Sequence, residues 1–221
     1  MSDPVLATRH WMDRWVMPYR RAILMTALVL LVAALLGGAF WFWQEVQERH
    51  AAAAYAPAMA RLSAARGREI PPEARATAIR ELEAALQTYP SATMAAEAAF
   101  ELAGLRFADG QYAPARSTYE IARARASSKT LQTLARLAIA TTWEAERNFP
   151  ETIEAYQAVL GELKPGEFQF EETLVALARA YELAGKKDDA IQTYRRLLKD
   201  VPKTTRAEDV RARLASLGAT P

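Results

Sequence analysis

The side chains that could do chemistry are few. Two histidines, His10 and His50, stand on either side of a long uncharged run, and neither has a carboxylate or hydroxyl partner in a recognisable motif. Carboxylate doublets occur at Glu171-Glu172 and Asp188-Asp189. General acid–base work needs such groups held with a perturbed pKa. Both doublets instead open expected helices, where the helix dipole favours anions, so they read as solvated caps. There is no phosphate-binding glycine loop and no metal-ligand spacing. Cysteine is absent, which removes disulfides, thiolate metal sites, a cysteine nucleophile and a lipoprotein acylation site. Four of the 28 basic and two of the 26 acidic residues lie within the first 43 positions. The remainder is balanced, and no basic face is built for nucleic acid. The chain reads as a non-enzyme without cofactor or metal.

What remains is the framework that would position a binding surface. The most informative stretch is Glu171 to Pro202. Leu174, Leu177, Ala178 and Tyr181 recur at i, i+3, i+4 and i+7, one face of a helix. Gly185 permits a left-handed turn at its end. Ala190 and Tyr194 lie one turn apart on a second helix, and Pro202 closes the unit. Ala178 and Ala190 let the two backbones approach closely. One hairpin cannot bury its own apolar face, so further copies are implied. A single helical hairpin in another all-α protein is the alternative.

This order of residues resembles the tetratricopeptide repeat, a helix–turn–helix unit of about 34 residues. The expected fold is all-α: a single transmembrane helix followed by a solenoid of such hairpins.

The leader, residues 1–21, carries Arg9, Arg14, Arg20 and Arg21, with Trp11, Trp15 and Tyr19 one turn apart. That spacing suits a helix lying at a membrane interface, although a disordered tail with incidental aromatics also fits it. From Ala22 to Trp43 no residue is charged, enough for a helix to cross a hydrocarbon core of about 30 Å. The run ends in Phe40-Trp41-Phe42-Trp43, rings that settle at a membrane–water interface. Cations concentrate before the span, which places the N-terminus in the cytoplasm and the repeats in the periplasm. Cleavage after Gly37-Gly38-Ala39 is the rival, but the apolar run continues through four bulky rings beyond it.

Residues 44–72 form a helical stem and a degenerate first repeat, with Tyr55, Met59 and Leu62 as its stripe and a break from Gly67 to Pro72. Residues 73–204 hold the repeats. Ala78, Leu82, Ala85 and Pro90 match a second helix and its closing proline. Leu102-Ala103, Gly110, Ala115 and Tyr119 make the next copy, with Arg106 where an aromatic is usual and Phe107 beside it to compensate. Ile139-Ala140, Trp143, Tyr156 and Val159 make a weaker one. There Arg147 replaces the turn glycine, Thr152 replaces the packing alanine, and Asn148 is placed to cap the second helix. Tyr119, Tyr156 and Tyr194 stand slightly further apart than the roughly 34 residues of a standard repeat. Residues 205–221 are a capping helix and tail, opened by a Thr205-x-x-Glu208 capping box and stopped by Gly218.

The repeat resemblance implies a concave surface lined by first helices. It would carry Glu97, Phe100 and Phe107, then Leu137, Thr141 and Glu144, then Val175, Arg179 and Glu182. Phe100, Leu137 and Val175 would form an apolar strip with a charged rim; Phe100 and Leu137 also fit inter-repeat core. The lysines and asparagines that such repeats use to clamp a chaperone's C-terminal carboxylate are missing.

Leader, single span, degenerate stem and repeats together resemble the ancillary subunit of the bacterial Sec translocon. That resemblance implies an inner-membrane scaffold linking emerging proteins to periplasmic chaperones. The alternative is a structural subunit that holds together another membrane complex.

Overall fold

The computed structural model describes residues 20–65 and 70–220. The leader aromatics, His10 and Gly67 lie outside them. Among the described residues there are nine helices and no strand. They are α1 (Arg20–Ala64), α2 (Pro72–Thr88), α3 (Ala95–Ala108), α4 (Tyr112–Arg125), α5 (Lys129–Ala145), α6 (Phe149–Glu162), α7 (Phe170–Leu183), α8 (Lys187–Asp200) and α9 (Ala207–Ser216). The chain divides into two compact units, Met1–His50 and Ala51–Pro221.

In the first unit every described residue belongs to α1. This is the one described helix long and apolar enough to cross a membrane, and none of its apolar stretch is buried. Its polar exception, Thr26, donates to the carbonyl of Ala22 at 2.9 Å, so its hydroxyl is satisfied within the helix. Glu45 and Arg49 pair at 2.9 Å just past the aromatic end.

The second unit begins with the last turns of α1, which continue through Pro57. Ala51, Tyr55 and Ala58 are buried, and Met59 and Leu62 half-buried, against Ala78, Leu82 and Ala85 of α2. The Tyr55 hydroxyl donates to the Tyr89 carbonyl at 3.0 Å. The first repeat thus uses alanines beside Tyr55 for its tightest contacts. The later hairpins follow in order: α3 with α4, α5 with α6, α7 with α8. Ala178 and Ala190 are both fully buried in the cluster formed by the last hairpin and its neighbours.

The turns show how much the glycines matter. Gly110 and Gly185 adopt φ of 74° and 72°, the left-handed region that glycine enters freely. At the corresponding turn Arg147 adopts φ 58°, so the turn forms without glycine but with a Cβ in a disfavoured conformation. Thr152, in place of alanine, is fully buried, and its hydroxyl donates to the Asn148 carbonyl at 2.7 Å. The packing survives because the extra polar group is satisfied inside its own helix.

Two expected caps are absent. Asn148 precedes α6 but its side chain makes no capping bond. The Thr205–Glu208 capping box does not form, since α9 starts later and Arg206 stands at its N-cap. Instead the hydroxyl of Thr204 accepts from the Arg206 amide at 3.0 Å and donates to Glu171. Thr204 thus closes the turn before the N-cap and ties the entry of α9 to the start of α7. Gly218, at φ 72°, does stop the last helix.

Candidate functional site: the cavity between the last hairpin and the terminal helix

Three first-helix segments carry the residues expected to line a groove, and the structure treats each differently. In α3, Glu97 is exposed, whereas Phe100 and Phe107 are half-buried against aromatic partners of α4. Phe100 meets Tyr119 edge-on at 5.3 Å, and Phe107 lies tilted on Tyr112 at 5.3 Å. These rings hold their own hairpin together. Phe107 therefore does fill aromatic space beside Arg106. Arg106 turns instead to Thr118 and to Glu83, which it reaches at 2.6 Å.

In α5, Leu137 is half-buried against the main apolar cluster, and Thr141 bonds back to its carbonyl at 2.9 Å. Glu144 is the centre of a small network. It accepts from the Tyr156 hydroxyl at 3.1 Å and pairs with Arg179 of α7 at 2.6 Å. Two residues singled out from the sequence, Glu144 and Arg179, are thus brought together across adjacent hairpins. Burial and the neighbouring Glu144 charge push the Tyr156 hydroxyl up to about 12.

In α7, Val175, Arg179 and Glu182 face one cavity of about 370 Å³. Its other walls are Leu183, Tyr194 of α8, and Arg206, Asp209, Val210 and Arg213 of α9 or its cap. Leu183 is 51% exposed, a large apolar side chain at the rim. The Tyr194 hydroxyl donates to Glu182 at 2.5 Å, and burial followed by that bond raises its pKa strongly. Arg206 stands 3.7 Å from Glu171 and 3.6 Å from Glu172. The first carboxylate doublet is therefore part of a junction with α9 and more than a solvated cap. Asp188 and Asp189 are exposed in the first turn of α8, as their spacing implied.

The α9 contribution was not legible beforehand. Its residues match no repeat position, and the segment reads from sequence only as a polar terminal cap. Chemically, the cavity offers an aliphatic floor, one tyrosine, and charges of both signs. Among the described residues no group of His, Asp and Glu could hold a metal ion. The arrangement suits recognition of a side chain or peptide.

The family model of the tetratricopeptide repeat-like domain matches residues 13–219, and the chain belongs to that family. No curated protein matches the sequence. Among solved structures, a crystal structure of MamA is 16% identical, with 66% of this chain and 80% of that one covered and a TM-score of 0.51. The putative kinesin light chain of Podosopora anserina, described by its TPR-like repeats, is 18% identical. That comparison covers 78% of this chain and 84% of the other, with a TM-score of 0.52. At these identities the likeness is one of fold.

Proposed function

We propose that this protein is a membrane-anchored interaction scaffold, held in a bacterial inner membrane by α1 with its repeats in the periplasm. Its partners are proteins beside the protein translocon, or the chaperones that receive emerging chains. The observation that carries the scaffold reading is the cavity itself. Three residues of one first-helix face, Val175, Arg179 and Glu182, converge on about 370 Å³ of accessible space with apolar and charged walls. Such mixed concave surfaces on stacked helical hairpins serve protein recognition. Supporting the anchor, the apolar stretch of α1 from Leu24 to Trp43 is exposed, as a lipid-facing segment would be. The translocon as partner rests on the layout of leader, span and repeats. Catalysis has no place in this reading.

A photo-crosslinking amino acid at Val175, irradiated in native membranes and analysed by mass spectrometry, tests it. Translocon subunits or periplasmic chaperones are the expected adducts. Adducts only with subunits of an unrelated membrane complex would move the protein to the role of structural subunit. No protein adduct at Val175, with adducts elsewhere on the surface, would remove the cavity from the scaffold's function.

A further inference from the structure

The cavity has an internal counterpart that indicates what fits it. At the junction of the third and fourth hairpins, Glu144 accepts from Tyr156 on one side and receives the Arg179 guanidinium at 2.6 Å on the other. Glu182 and Tyr194 repeat the first half of that arrangement, with the same separation along the chain and a 2.5 Å bond. The repeat length that carries Glu144 and Tyr156 onto Glu182 and Tyr194 carries Arg179 onto Leu217. Leu217 is aliphatic and half-buried against the apolar core. No guanidinium therefore stands at that register, and Arg213 of α9, whose charge reaches the Tyr194 hydroxyl, forms no ion pair with Glu182.

The charges that remain favour a cation. Of the three arginines on the cavity wall, Arg179 is committed to Glu144, and Arg206 stands beside Glu171 and Glu172. Among the described residues Glu182 and Asp209 make no ion pair, and Arg213 is the one cavity cation that makes none. Two carboxylates without an ion-pair partner, one of them accepting from Tyr194, thus face one guanidinium without one. Around them, Val175, Leu183 and Val210 supply apolar walls of the kind that flank an arginine's aliphatic stem.

We infer that the cavity receives an arginine of a partner protein, flanked by aliphatic residues, whose guanidinium pairs with Glu182 as Arg179 pairs with Glu144. This rests on the scaffold reading and names the chemistry of its partner. Arg213 opposes the incoming cation and weakens its binding.

The test uses the full chain in detergent micelles and a fluorescein-labelled peptide with one arginine between two leucines in an alanine–serine background. A matched peptide carries glutamate in place of the arginine. Fluorescence anisotropy is read up to about 1 mM peptide, the weak end of measurable binding. The arginine peptide is expected to bind saturably and the glutamate peptide to bind less. Glu182→Gln keeps an acceptor for Tyr194 while removing the charge, so the fold should hold, checked by an unchanged melting temperature. It should weaken the arginine peptide roughly tenfold, whereas Arg213→Ala should strengthen it. Absent saturable binding, preference for the glutamate peptide, an indifferent Glu182→Gln or a weakening by Arg213→Ala each overturns the inference. If the peptide fails while Val175 still crosslinks to a protein in native membranes, only the arginine assignment falls. If both fail, the cavity's place in the scaffold reading falls with it.

Discussion

Single residues hold the repeats in register through hydroxyls and guanidiniums at the edge of the core. Tyr119 and Tyr156 are each raised by burial from 10.0 to about 12, with nearby Glu101 and Glu144 acting in the same direction. The folded chain therefore keeps these protons over a range in which the unfolded chain loses them. By linkage, stability is intact below pH 10 and falls as pH rises from about 10 to about 12. Helical circular dichroism melts should show a steep loss of melting temperature in that window. Tyr119→Phe with Tyr156→Phe should make it shallower, the remainder belonging to Tyr194, and a profile unchanged by the pair would refute the cause. Arg147 offers a second test. Its φ of 58° imposes a Cβ where glycine would carry none, so Arg147→Gly should stabilise the second unit by about 0.5–1 kcal/mol. A lower midpoint in chemical denaturation would show that its side chain contributes more than its backbone costs.

Pairs of helices are set by the smallest side chains. In the last hairpin Ala178 and Ala190 are fully buried, while Tyr181 and Tyr194 fill the flanks. Ala190→Leu adds volume with no void to receive it and should cost about 1–3 kcal/mol. A melting temperature equal to wild type would mean that α7 and α8 can slide apart without loss. Between hairpins the glue is different. Arg116 lies 3.3 Å over the Trp143 ring and reaches Glu146 at 2.8 Å, joining α4 to α5. Such contacts combine cation–π attraction with an ion pair that is only partly exposed. They explain why the third hairpin, weakest in its repeat signature, still packs: its neighbours hold it through Trp143 and Glu144.

For the whole molecule, the decisive property is where the repeats sit relative to a bilayer. Arg9, Arg14, Arg20 and Arg21 precede the apolar run, and positive-inside bias then sets the orientation proposed above. A reporter enzyme that folds only in the periplasm, fused after Pro221, should be active, and its cytoplasmic counterpart silent. The reverse pattern would turn the repeats toward the cytosol and exclude periplasmic partners. N-terminal sequencing of the membrane-extracted protein should begin in the leader. A start just after Ala39 would identify the run as a cleaved signal.

Much of this protein follows from one-dimensional periodicity. The i, i+3, i+4, i+7 stripe from Leu174 to Tyr181, the small residues at 178 and 190, and the glycines at 110 and 185 depend on local geometry. Local rules therefore read them correctly. The uncharged run before Gln44 is legible for the same reason, since length and composition alone decide whether a helix is apolar enough to span a bilayer. Contacts between distant segments were another matter. Phe100 and Leu137 could be assigned to groove or core only after Tyr119 and the main cluster were seen to cover part of each. The expected Thr205 cap gave way to a turn at Thr204, whose hydroxyl also reaches Glu171, far away in sequence. The cavity required α9 to fold back beside α7, placing Val210 and Arg213 opposite Val175 and Glu182. No helical period encodes that docking. It arises because burying Val210 and Leu214 against the last hairpin removes apolar surface from water, and the polar residues beside them are carried to the cavity wall.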